Sequence, residues 1–125
     1  MKKKDIKILL VDDEQDILEI VGYNLTQEGY QISTASNGKE AIQKAKKELP
    51  HLIIMDVMMP EMDGYETMKN IRRDDKHKDL TIIAVTAKAM KGDRQKCIES
   101  GASDYITKPV NVDQLSSLMR VWLKK

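Results

Sequence analysis

The sequence predicts an α/β fold, a doubly wound (βα)5 three-layer sandwich around a five-stranded parallel sheet. Short strand-like apolar runs recur along the chain, with helical periodicity between each run and the next. Four of the runs also end on polar residues suited to one chemistry: KILLV leads into Asp12 and Asp13, HLIIM into Asp56, TIIAV into Thr86, and DYIT into Lys108. Parallel strands joined by crossover helices bring their carboxyl ends to a single edge, and function in open α/β sheets collects there. Three carboxylates, a hydroxyl and an ammonium would then meet.

The elements follow in order. Ile6 to Val11 is nearly continuous in apolar residues, as expected of a strand covered on both faces. Asp13 or Glu14 begins a helix in which Ile17, Leu18, Val21 and Leu25 recur at three- and four-residue spacing, and Gly29 suits its left-handed close. Tyr30 to Ser36 alternates as an edge strand with one wetter face would. Ala41, Ile42, Ala45 and Leu49 form the stripe of a second helix before Pro50. His51 to Met55 is the next buried run, and Pro60, Asp63 and Gly64 mark the loop after Asp56. A helix from about Gly64 to Arg73 presents Tyr65, Met68 and Ile71, and Thr81 to Val85 is a further strand. The pattern then predicts a helix from roughly Lys91 to Ser100 closed by Gly101, and a brief strand from Asp104 to Thr107. The last helix carries Leu115, Leu118, Met119 and Trp122 on one stripe.

A chain of 125 residues with 41% hydrophobic residues is expected to form a single domain over residues 1–125, with residues 1–5 as a basic tail. The 21 basic and 20 acidic residues leave a net charge of +1, which offers no general attraction to nucleic acid or an anionic membrane. Neither is expected as a direct partner. With no span-length apolar stretch and no secretory signal core, a cytoplasmic protein is predicted, and the lone Cys97 agrees with a reducing compartment.

Asp12 and Asp13 repel each other unless a cation relieves them, and with Asp56 they match the oxygen ligands that magnesium prefers. With only two histidines and one cysteine, the chain offers no zinc cluster. The alternative for Asp12 and Asp13 is capping and first-turn charge for the following helix. Asp56 can act as a nucleophile on phosphorus, or serve as a turn aspartate. Thr86 can bond a phosphoryl oxygen and Lys108 can pair with one, although each residue type is common at such positions. Met55, Met58, Met59 and Met62 read as gap-filling thioethers and not as a copper site, given the hard ligands nearby.

The ordered motifs ILLVDDE, IIMDVMMPEMDG, VTA and YITKP resemble, from Ile6 to Leu123, the receiver domains of bacterial two-component response regulators. That resemblance implies a flavodoxin-like sheet of strand order 2-1-3-4-5. It implies transfer of a phosphoryl group from the phosphohistidine of a histidine kinase or histidine phosphotransfer protein to Asp56. Magnesium, with manganese as a substitute, would be held by Asp12, Asp13, Asp56 and the backbone carbonyl of Met58. Thr86 and Lys108 would contact the phosphoryl group, and Thr86 and Tyr105 would form a switch that alters a face read by a downstream protein or attached domain. The family also implies a cis peptide before Pro109, a small residue at Ala87 for access, and tuning of water access by Met58 and Lys88. A monomer or weak dimer is expected, acting as a signalling module and not as a turnover enzyme.

Some positions depart from the receivers that dimerise beside a DNA-binding domain. Val110 stands for a usual phenylalanine, Gln114 for a glutamate and Leu118 for an arginine, while Asp104 is retained. The second half instead resembles receivers of hybrid histidine kinases. A competing function is an aspartyl phosphatase or phosphotransferase of the haloacid dehalogenase type. Such enzymes place a second aspartate two residues after the nucleophile, where this chain has Met58. A nucleotide or flavin module is disfavoured because the chain has neither a G-x-G-x-x-G turn nor a P-loop.

Overall fold

The computed structural model describes residues 2–59, 63–86 and 93–124. Five strands, β1 (Lys7–Val11), β2 (Gln31–Ala35), β3 (Leu52–Asp56), β4 (Thr81–Thr86) and β5 (Asp104–Thr107), form one sheet of order β2-β1-β3-β4-β5. All four pairings are parallel. Helices α1 (Gln15–Gln27), α2 (Gly38–Glu48), α3 (Gly64–Arg72), α4 (Asp93–Glu99) and α5 (Val112–Leu123) alternate with the strands. Within the stretch expected as a basic tail, Lys3–Asp5 form an exposed 3-10 turn.

Strand alternation sorts the core into two layers. Leu9, Val11, Ile53, Met55 and Ile82 turn to one face, where α2, α3 and α4 supply Ala41, Ala45, Met68, Ile71 and Cys97. Ile8, Leu10, Leu52, Ile54 and Ile83 turn to the other, against Leu18, Val21 and Leu25 of α1 and Leu115 and Met119 of α5. β1 and β3 therefore read as unbroken apolar runs because both faces are covered, each fully buried side chain contributing about 1.5–3 kcal/mol. β2 lies at the sheet edge, as its alternation predicted, and its first residue is exposed while its last is buried.

Local chemistry ends the helices. Asn37, Asp63 and Asn111 each accept a backbone N–H three residues on, at 2.8, 2.9 and 3.0 Å, and so cap α2, α3 and α5. Gly29 and Gly101 take φ of 109° and 117°, the left-handed geometry expected after α1 and α4. Leu49 is a correction to the predicted α2 stripe. It is the C-cap, with φ 50°, and the left-handed turn carries its side chain out to 50% exposure. In the last helix, Ser116 is buried beside Leu115 and Met119, whereas Leu118 and Trp122 are half-buried. The start of the fourth helix expected at Lys91 lies outside the described residues.

Arg72 closes the far end of the fold. Its guanidinium donates to the Gly101 carbonyl at 3.0 and 2.7 Å and to the His77 carbonyl at 2.7 Å. One side chain thus ties the end of α3 to the turn that follows it and to the loop before β5.

Candidate functional site

Register places the site. Val11 pairs with Met55, so the next residues, Asp12 and Asp56, emerge side by side beyond β1 and at the end of β3. Asp56 pairs with Val85, which sets Thr86 one step further along β4, and Thr86 pairs with Thr107, immediately before Lys108. The Lys108 N–H donates to the Thr86 carbonyl at 2.7 Å, and the Lys108-Pro109 peptide is cis. Asp12, Asp56 and Thr86 are 2%, 1% and 1% exposed, a burial that carboxylates tolerate only with partners.

Each buried acid divides its two oxygens. Asp12 Oδ1 accepts the Glu14 N–H at 2.9 Å while Oδ2 lies 3.7 Å from Lys108 Nζ. Asp56 Oδ1 accepts the Met58 N–H at 3.0 Å while Oδ2 lies 3.3 Å from the same Nζ. The backbone bonds fix both side chains and leave one oxygen of each aimed at a cation. Carboxylate oxygens of Asp12, Asp13 and Asp56 all lie within 4.8 Å of one another. This all-oxygen set fits a hard divalent ion such as magnesium and not a soft one.

Glu14 belongs to the site as well, with Oε1 3.4 Å from Lys108 Nζ. It is a third acid in the DDE run, and only its helix-starting role was visible in the sequence. The N-cap half of the alternative for the aspartates is answered by α1 itself, although Asp12 does accept the N–H of the residue that opens the helix. Glu14 occupies its N-cap and makes no side-chain cap bond, so neither aspartate is the cap.

The charges are held far from their ordinary balance. Burial, aided by neighbouring Asp56 and opposed by the Glu14 N–H and Lys108, raises the Asp12 pKa to about 6. Burial opposes the charge on Lys108, but Asp56, Asp12 and Glu14 outweigh it and raise its pKa. The folded, metal-free protein therefore keeps a proton on Asp12 that the unfolded chain releases near the ordinary aspartate value of 3.8. Ionising Asp12 above that pKa costs stability. Asp12→Asn is expected to be more stable than the parent at pH 8 without metal, by on the order of 2–3 kcal/mol, with the gap closing between about pH 6 and 4. Urea denaturation across pH checks this. A gap that stays constant with pH would contradict it.

Tyr105 is not part of the carboxylate cluster. It is half-buried on β5, packed against the layer that holds α2, α3 and α4. Asp104 beside it accepts the Trp122 Nε1–H at 3.0 Å. Of the methionines near the site, Met55 and Met59 are buried in the core and Met58 is exposed. Ala87, Lys88, Pro60 and Met62 lie outside the described residues.

This sheet, with two buried acids and a lysine at its carboxyl edge, defines the receiver class of two-component signalling proteins. The family model for the response regulator receiver domain matches residues 8–120, and the chain belongs to that family. It is 40% identical over 119 residues to the alkaline phosphatase synthesis transcriptional regulatory protein PhoP of Bacillus subtilis, a match that covers 95% of this chain and 49% of PhoP. The chain thus spans about half the length of that regulator. Among solved structures, chemotaxis protein CheY4 of Vibrio cholerae aligns with TM-score 0.87 at 36% identity, covering 93% of this chain and 98% of that one. The receiver domain of the sensor histidine kinase PA1611 of Pseudomonas aeruginosa, with magnesium coordinated in its active-site cleft, aligns with TM-score 0.89 at 31% identity. Coverage there is 96% of this chain and 98% of that one.

Proposed function

We propose that this domain accepts a phosphoryl group on Asp56 from a phosphohistidine and that the product state is read by a protein partner. The observation that carries this reading is the paired geometry of Asp12 and Asp56, each fixed by a backbone N–H and each turning its other oxygen toward Lys108. In the step, an Asp56 oxygen attacks phosphorus, the bond from phosphorus to the donor imidazole nitrogen breaks, and that nitrogen keeps the electron pair. Asp12, Asp13, Asp56 and the Met58 carbonyl would hold magnesium, which when bound would supply positive charge against the anionic carboxylate and phosphoryl groups. Lys108 pairs with the transferred group, and the Thr86 hydroxyl bonds one of its oxygens. Thr86 and Tyr105 then switch the face formed by α4, β5 and α5, because added charge biases one of two packings.

Residues 1–125 act on this reading as one receiver domain in the cytoplasm, with a histidine kinase or phosphotransfer protein upstream and a protein target or attached domain downstream. No described helix is long and apolar enough to cross a membrane. Manganese can take the place of magnesium, given the same oxygen ligands. Met58 offers no acid two residues after Asp56, which favours retention of the phosphoryl group over repeated turnover.

Incubation with magnesium and a small acyl phosphate is expected to add the mass of one phosphoryl group to the intact protein, and a chelator is expected to prevent it. An unchanged mass in folded protein with several donors would sink the proposal. Steady phosphate release from varied phosphomonoesters would favour the phosphatase reading.

A further inference from the structure

At the end of the sheet opposite the carboxylates lies a cavity of about 390 Å³, within the size range of small-ligand sites. Ile6, which precedes β1, and Thr81, which starts β4, line it together with the last turn of α5. Its apolar lining comes from Ile6 and Tyr30, which are 6% and 4% exposed, and from the half-buried Trp122 and Leu123. Its charged lining is one-sided. Lys3, Arg120 and Lys124 face a single acid, Asp79, in a chain whose net charge is only +1.

We propose that this cavity binds a small amphipathic anion, an apolar body carrying one carboxylate or sulfonate group. The apolar residues remove the body of the ligand from water, and the excess of cations selects the sign of its head group. Two of the lining groups are already positioned for this. Lys3 Nζ stands 5.6 Å from the centre of the Tyr30 ring, and Trp122 is held by its bond to Asp104. Arg120 is exposed; its guanidinium donates to the uncharged Ser116 Oγ at 2.9 Å and Ser117 Oγ at 3.2 Å and lies 3.9 Å from the Glu28 carboxylate. Its positive charge is therefore only partly neutralised and still acts on an anion from solvent. The site is separate from the phosphoryl chemistry, and failure of one reading leaves the other intact.

Trp122 is the single tryptophan of the chain, so binding has a direct optical readout. Titration of the full chain with anilinonaphthalene sulfonate is expected to quench Trp122 saturably with one-to-one stoichiometry. The uncharged N-phenylnaphthylamine is expected to bind roughly tenfold more weakly, and the double variant Lys3→Glu with Arg120→Glu is expected to lose about tenfold for the sulfonate. Both residues are exposed, and circular dichroism checks that the fold is kept, with Lys124→Glu as a replacement variant should the double one unfold. Non-saturable quenching, equal affinity for the charged and uncharged probes, or no effect of the charge reversals in folded protein would each overturn the proposal.

Discussion

Asp56→Asn is expected to reduce phosphoryl uptake from a small acyl phosphate by on the order of a thousandfold or more, the scale seen when a nucleophile is removed. Asparagine keeps the shape of the side chain and can still accept the Met58 N–H that now bonds Oδ1 at 3.0 Å. Its amide is a poor nucleophile toward phosphorus, because the nitrogen lone pair is delocalised into the carbonyl and the oxygen no longer carries a full negative charge. The lost charge also weakens the ligand set for a divalent ion. The fold should survive, because Lys108 retains Asp12 at 3.7 Å and Glu14 at 3.4 Å as partners. Relief of the Asp12–Asp56 repulsion also lets the Asp12 carboxyl move down toward the ordinary carboxylate range. Intact-mass measurement after exposure to donor and magnesium, with a urea melt to establish folding, checks both halves. Uptake equal to that of the parent would mean that another carboxylate is the acceptor.

The carboxyl-edge residues were legible because the strands are parallel and apolar: once β1, β3, β4 and β5 were recognised, the residue after each run had to face one edge. Asp12, Asp56, Thr86 and Lys108 therefore fell into place from the pattern alone. Glu14 did not, because its part in the site depends on the reach of Lys108 across 94 residues of chain, which no local pattern encodes. Leu49 was misplaced for the opposite reason. Its spacing continues the α2 stripe, but the left-handed turn ends the helix one residue earlier. The exposure of Met58 beside the buried Met55 and Met59 was equally hidden, since Met55 ends the apolar run of a strand while Met58 and Met59 come after it in a stretch with no periodicity to follow. Arg72 is a further case, its three carbonyl contacts being set by tertiary packing.

Gly64→Ala is the other substitution expected to have a large effect, and simple helix propensity predicts the opposite sign. Gly64 opens α3, where alanine would normally favour a helix by about 1 kcal/mol. A Cβ at this position would stand 2.3 Å from the Asp56 carbonyl oxygen and 2.5 Å from Val57 Cα, closer than the 3.0 Å that real Cβ atoms keep. Neither side can yield easily. Met68 and Ile71 lock α3 into the core at 0% and 1% exposure, and the Val57 N–H holds the other backbone to the Val85 carbonyl at 3.0 Å. The contact has backbone on both sides, so its relief moves an element and not a rotamer, at an expected net cost of roughly 3–5 kcal/mol. The backbone that must shift is that of the acceptor aspartate. Phosphoryl uptake should therefore fall by about a hundredfold even at a temperature where the variant is fully folded, as displacements near 1 Å do elsewhere. Urea denaturation together with the uptake rate below the melting transition separates the two effects. A variant as stable as the parent, or stabilised as propensity alone predicts, would show that α3 does not press on the Asp56 backbone and that this glycine has no part in placing the site.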